Sequence, residues 1–517
     1  MSGPAAASDG ARGTGPAPAK PALSKPNLVV AAPGLLTASI MVATVMQVLD
    51  TTIANVALPH MASSLNATQE EITWVLTSYI VASAIATPLT GWAADRLGRR
   101  RVFTGAIAGF ILFSVLCGIA TSLPEMVAFR IFQGVFGAAL IPLAQAVLLD
   151  INPRERIGQA MAIYGAGIMV GPIIGPTLGG WLTEVFNWRY VFFINLPVGL
   201  LALAGVSAFM PQEETRRRRF GVTGFAMLAI AIGALQLMLD RGQSAGWFES
   251  VEIVIYAGLI VAGFWAFVVH CWGADEPFVN LAMFRDRNFV MGLIFIFIIG
   301  MTLFSGLALL PPLLQRLMGY PVITTGLVMA PRGVGTMVSM IVVGRLVARF
   351  DPRGLVLCGI CLTALSLWMM SGFEAGMDST PIIVSGVIQG FGLGFVFVPL
   401  SSLTFATIAA RFRGDATAMF SLVRNVGSGV GISLVTVVLA RMSSVNHEEL
   451  ASTLTAQSPQ VREAMPQLLS GSPMYAQIAD GLVSRQAAML AYIDNFFLML
   501  ILTLAVIPIV LLLRRPQ

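Results

Sequence analysis

Residues 165–181 read GAGIMVGPIIGPTLGGW, and the fold follows from how this stretch is read. It lies inside an apolar run, yet it is built from the two residues that helices usually avoid. Gly167, Gly171, Gly175 and Gly179 recur every fourth residue, which lays them along one slowly drifting helix face. Pro172 and Pro176 repeat at the same interval beside them. Within a bilayer, a stripe of glycines lets two helix backbones come close. The prolines remove backbone donors and bend the helix, which a membrane bundle tolerates when its neighbours re-satisfy the backbone. The stretch predicts a bent membrane helix whose flat face seals against another helix, either as plain close packing or as a gate.

Composition agrees. Of 517 residues, 56% are hydrophobic and 11% charged, and the mean hydropathy is +0.82. That is far too apolar for a water-soluble chain. The 4 cysteines make no disulfide framework. Cys358 and Cys361 form a CxxC inside an apolar span without other ligands nearby, which reads as packing rather than a metal site. The net charge of +5 comes from arginines between spans, so it reads as a topology signal and not as a nucleic-acid patch.

Residues 1–33, rich in Ala, Pro, Gly and Ser, read as a disordered tail with no secretory signal core. Fourteen apolar spans follow, near 35–58, 74–94, 103–121, 127–149, 158–182, 188–210, 221–240, 252–272, 289–315, 324–348, 355–373, 380–408, 416–440 and 490–513. Each approaches the roughly 20 residues that cross a hydrocarbon core. Every even span ends in arginine: Arg96 with Arg99 to Arg101, Arg154, Arg216 to Arg219, Arg285, Arg349, Arg411 with Arg413, and Arg514 with Arg515. The positive-inside rule then puts both termini in the cytoplasm. Residues 441–489 form the one long connection on the opposite side, read as a polar outer loop with Glu448, Glu449, Glu463 and Asp480.

The chain echoes itself. Leu58-Pro59 recurs as Leu310-Pro311, Gly91 as Gly344, and Gln133-Gly134 as Gln389-Gly390, at offsets of 252, 253 and 256. Spans one to six (34–211) therefore match spans nine to fourteen (289–517), and 212–288 inserts two helices between the halves. Paired six-helix halves are a transporter pattern with the substrate site near the midplane.

Charges inside the spans are the functional candidates. Asp50 lies in span one, within LDTTIANVALP (49–59), with Gln47 a turn before it and Asn55 beyond it. Burial disfavours a charged carboxylate, so such a group reads as a proton carrier or as a permanently paired structural anion. Arg130 and Gln133 share a face of span four. A buried arginine needs an anion, for which Asp50 is the natural partner; the alternative is an arginine that snorkels to the interface. Gly91, Asp95, Arg96, Gly98 and Arg99 lie in GWAADRLGRRRV (91–102), where a carboxylate at a helix end can lock one arrangement of the bundle. Ala348 stands where the second half would carry Asp95, so the lock reads as one-sided. Arg424 and Asn425 place polarity in span thirteen and are candidates for the substrate cavity.

These motifs resemble the major facilitator superfamily, in its 14-helix drug:proton antiporter branch. Residues 91–102 are similar to the family's GxLaDRxGRkxx loop, with Ala93 in place of Leu. Arg130 with Gln133-Gly134 resembles its span-four motif, 167–180 its span-five antiporter motif, and 49–59 the branch signature. With WRYVFFINLPVG (188–199) and LQLMLDRGQSAGWF (235–248), the chain resembles inner-membrane pumps of the EmrB type. The resemblance implies an all-α membrane fold of two six-helix halves with two added central helices. It implies export of amphipathic drugs in exchange for protons across the bacterial inner membrane, by alternating access. Its partners would be an EmrA-type periplasmic adaptor and a TolC-type outer-membrane channel, docked on the outer faces that include 441–489. A stand-alone exporter of one lipid or metabolite, or a proton symporter, keeps the same fold. No cofactor, metal or enzymatic constellation is expected: the chain has only His60, His270 and His447 and no phosphate loop.

Overall fold

The computed structural model describes residues 28, 30–68, 70–153, 156–212, 215, 219–274, 277–453 and 473–512, among which there is no strand. Thirteen helices are long and apolar enough to cross a membrane, or 14 when one bent pair counts as a single span. In chain order they are α1 (Pro33–Ser64), α2 (Glu71–Ala86 with Leu89–Leu97), α3 (Arg99–Ile119), α4 (Leu123–Ile151), α5 (Ile157–Val185), α6 (Tyr190–Phe209) and α7 (Val222–Arg241). There follow α8 (Val251–Gly273), α9 (Arg287–Leu317), α10 (Ile323–Leu346), α11 (Pro352–Met370), α12 (Thr380–Ala406), α13 (Arg413–Thr453) and α14 (Gln477–Val510). They fall one for one on the fourteen apolar runs. The tail up to residue 27, Arg154, Arg216 to Arg218, Glu463, Arg514 and Arg515 lie outside the described residues.

Prolines place the bends. Helix α2 turns by 56° at Thr87-Pro88, α4 is interrupted at Ala138-Ala139 and α5 at Met169. Pro88 lies in the first break itself, and Pro142 and Pro172 stand three or four residues beyond the other two, where a proline ring crowds the preceding turn. Side-chain caps close some of the ends: Ser122 accepts from the Glu125 amide at 3.5 Å and Asp286 from the Phe289 amide at 3.0 Å.

The same contacts recur in both halves. Helix α1 packs on α5, α2 on α4 and α3 on α4; α9 packs on α13, α10 on α12 and α11 on α12. The repeated glycines make the same close approach: Gly134 lies against the Tyr79 carbonyl and Gly390 against the Arg332 carbonyl. Helix α7 bridges α2 and α13, and α8 packs on α7 with most of its surface facing outward.

Two expectations change. Residues 441–453 and 473–489, read as polar loop, are helical extensions of α13 and α14. Polar cross-links make these extensions a pair, with Asn446 Nδ2 donating to Asp494 at 3.3 Å and His447 Nε2 at 3.0 Å from Asp480. Cys358 and Cys361 are exposed on α11 instead of packed.

Candidate functional site

Five helices of the first half converge on one carboxylate. Asp50 of α1 is 1% exposed, and Arg130 and Gln133 of α4 are fully buried. Arg130 Nη1 donates to Asp50 Oδ2 at 2.6 Å and to Gln133 Oε1 at 2.8 Å. The other carboxylate oxygen, Oδ1, accepts from Gln133 Nε2 at 2.9 Å and from Asn195 Nδ2 of α6 at 2.7 Å. Asn195 also donates to Ser114 Oγ of α3 at 2.9 Å, and Ser114 donates to the Phe192 carbonyl at 2.9 Å. Arg130 Nε donates to the Val75 carbonyl of α2 at 3.0 Å. Its guanidinium carbon stands 4.3 Å from the centre of the Tyr79 ring, a cation–π contact.

Burying two ions costs several kcal/mol each, which close pairing and further hydrogen bonds must offset. Here each carboxylate oxygen has a donor, and the arginine has an anion, a carbonyl and an aromatic face. Snorkelling is excluded for Arg130. Asp50 is the centre of the assembly and not a residue at an aqueous edge.

The expected neighbours of Asp50 divide. Gln47 is 7% exposed and lies beside Tyr79. Asn55 is exposed and outside the hydrogen-bonded set. Arg424 of α13 is half-buried and reaches Tyr164 of α5 across the two halves, while Asn425 is half-buried next to it. Asn195 and Ser114 were not singled out from the sequence. Their signal is a polar side chain within an apolar span, one that Asn195 shares with many helix-packing residues.

The glycine stripe presses on α1 around Asp50. A Cβ at Gly171 would meet Val48 Cβ at 3.0 Å, one at Gly179 would meet Ile53 Cα at 3.2 Å, one at Gly175 would collide with Thr52, and one at Gly167 with Met41. Thr52 Oγ1 donates to the Gly171 carbonyl at 3.3 Å. The partner of the stripe is therefore within its own half. Contact with the second half comes from other residues of α5: Ile173 fills the space at Gly333 of α10, and Thr177 lies at Gly326. Any influence of the stripe on a gate passes through α1. Gly175→Leu should force α1 and α5 apart at a cost of about 1–3 kcal/mol, enough to bias a two-state bundle roughly tenfold. Leakage of protons through liposomes bearing the variant, with expression retained, is the expected result. A tight, normally coupled variant would reduce the stripe to ordinary packing.

At the arginine-rich end the halves touch directly. Gly91 of α2 backs onto Asp415 of α13, and a Cβ at Gly414 would lie 3.6 Å from Gly91 Cα. Gly98 has φ +88°, a left-handed turn that joins α2 to α3 and favours glycine. Asp150, at the end of α4, pairs with Arg99 of its own half and Arg413 of the other, and Arg413 Nη1 donates to the Leu149 carbonyl at 3.2 Å. Asp95 is half-buried and Arg96 exposed beside this contact. Both halves thus contribute to this contact, while Ala348 leaves the repeat of the 91–102 loop without a counterpart of Asp95. The second-half members, Arg413 and Asp415, come from the start of α13 and not from the repeat of the 91–102 loop.

Residues 40–432 match the sequence profile of the Major Facilitator Superfamily. The chain is 35% identical over 455 residues to the multidrug export protein EmrB of Escherichia coli, covering 87% of this chain and 89% of that one. It is 34% identical over 496 residues to the fatty acid resistance protein FarB of Neisseria gonorrhoeae, covering 95% and 98%. Among solved structures, the human organic anion transporter MFSD10 superposes with a TM-score of 0.59 at 15% identity, over 91% of this chain and 99% of that one. That likeness is one of fold.

Proposed function

The chain belongs to the Major Facilitator Superfamily, in the group of EmrB, EmrY and MdtD, and from that premise we propose that it exports amphipathic drugs in exchange for protons. The observation that carries this reading is the buried Asp50–Arg130 pair with its amide partners. A titratable group enclosed in one half, against the helix that carries the glycine stripe, has the placement a coupling site needs. Protonation would remove the anion that Arg130 holds, loosening α1 from α4 and α6 and biasing the bundle toward its other arrangement. The lock of Gly91, Asp150, Arg413 and Asp415 would open in that step.

We further place the chain in the bacterial inner membrane with both termini cytoplasmic, because the arginine-rich connections gather on one side. The paired extensions of α13 and α14 would then project outward, where an EmrA-type adaptor leading to a TolC-type channel would dock. In liposomes carrying the chain alone and an imposed pH gradient, addition of ethidium should dissipate the gradient as the dye moves the opposite way. Dye and protons moving in the same direction would identify a symporter, and dye movement without proton flux would end the antiport reading. Co-purification with the adaptor, lost when 445–485 is replaced by a short linker, tests the docking surface separately.

A further inference from the structure

The second half repeats the geometry of the Asp50 site without its acid. In the first half, α1, α2, α3, α4 and α6 surround Asp50. The corresponding helices α9, α10, α11, α12 and α14 surround a cavity of about 50 Å³, room for a few waters or one small anionic group. Gln389 of α12 stands as Gln133 does in α4, one residue before a glycine that abuts the facing helix. Three residues earlier α4 carries Arg130, whereas α12 carries Gly386. The arginine comes instead from α10, as Arg332, whose backbone carbonyl meets Gly390 just as that of Tyr79 meets Gly134. On α9, Ile299 and Thr302 line the cavity where α1 supplies Asp50, and Thr363 of α11 lines it as well.

Arg332 is 6% exposed. Its Nη1 has no hydrogen-bond partner, and its Nη2 makes only a long contact of 3.4 Å to the Leu303 carbonyl. Among the described residues no carboxylate pairs with it. Gly306 leaves it uncovered, since a Cβ there would stand 3.3 Å from Nη1. The Gln389 Oε1 beside it is buried and unpartnered too, and the amide turned over would present Nε2 as a donor to an anion there. A buried cation without an anion is costly, and the first half shows how the same framework relieves that cost. Apart from Thr503, the rest of the wall is apolar, with Phe295, Ile298, Ile360, Leu393, Val396 and Val506 among its residues.

We propose that this cavity binds the carboxylate head of an amphipathic molecule on Arg332 and Gln389, with the first carbons of its chain against the surrounding isoleucines and Phe295 and the rest of the chain passing out of the cavity. The carboxylate supplies from outside what Asp50 supplies within the first half. The site is distinct from the proton-coupling site and does not depend on the direction of transport.

The test is equilibrium binding of radiolabelled dodecanoate to the full chain in lipid nanodiscs, with empty nanodiscs subtracted. Saturable binding is expected, competed by excess unlabelled dodecanoate and not by dodecanol or dodecyltrimethylammonium, which share the chain but not the anionic head. Arg332→Gln should weaken it by roughly tenfold or more, and Arg332→Lys should keep part of it. Ile360→Trp, which fills the cavity without touching the charge, guards against a folding defect in the arginine variants and should also abolish binding. Equal binding by parent and Arg332→Gln, or competition by dodecanol as strong as by dodecanoate, would overturn the proposal.

Discussion

Asp50→Asn is expected to abolish pH-driven export while leaving the protein folded in the membrane. The substitution keeps the shape of the side chain and removes only its ability to exchange a proton. Its carbonyl oxygen can still accept from Arg130 Nη1, which sits at 2.6 Å in the parent. The new amide nitrogen would face two donors, Gln133 Nε2 and Asn195 Nδ2. Asn195 can turn over to present its oxygen instead, while Gln133, whose Oε1 accepts from Arg130 Nη1 at 2.8 Å, would move its Nε2 aside. The framework thus survives, and the loss of coupling should be complete rather than fractional, because a site that never titrates carries no protons. Exchange of labelled for unlabelled dye across liposomes, which needs no net proton movement, should persist. Undiminished uptake by the variant under a pH gradient would move the coupling site elsewhere.

How much of this was legible follows from what a linear pattern can carry. Fourteen apolar runs and their arginine-rich ends yield the helices and their order, because crossing a hydrocarbon layer is a local demand on about 20 consecutive residues. The Asp50–Arg130 pair was also legible, because a charge within an apolar run requires a partner and few are on offer. Asn195 and Ser114 were not. A neutral polar side chain in a membrane helix can satisfy itself on its own backbone, as Thr44 does on the Ile40 carbonyl at 3.0 Å, so its presence demands nothing from other helices. The pairing of Asp150 with Arg413 was hidden for another reason. Helical period tells which residues share a face, but not which face of which half it meets, and this pair is 263 residues apart. Residues 441–453 and 473–489 read as loop because polar composition was equated with loop, although a helix continued past the bilayer satisfies its backbone just as well. The glycine stripe announced a close helix contact; that its partner is α1 depends on the three-dimensional arrangement alone.

Arg130→Ala should be more damaging to the protein itself than Asp50→Asn. It leaves a carboxylate that is 1% exposed without its cation, and removing one partner of a buried pair costs about 3–5 kcal/mol. Gln133 and Asn195 would still donate to Oδ1, but neither is charged, and Oδ2 would lose its donor altogether. The Val75 carbonyl and the face of Tyr79 would lose the guanidinium as well. The variant should therefore unfold at lower temperature and show little pH-driven transport. A double variant, Asp50→Asn with Arg130→Met, distinguishes a lost charge partner from a lost side chain. It removes both ions and refills the arginine's space with apolar volume, a replacement that is often neutral or stabilising. Thermal stability in detergent should recover most of what the single Arg130→Ala variant loses, while transport stays absent because nothing titrates. If the double variant is no more stable than Arg130→Ala, the two residues contribute independently, and the buried pair cannot be the element whose protonation moves the bundle.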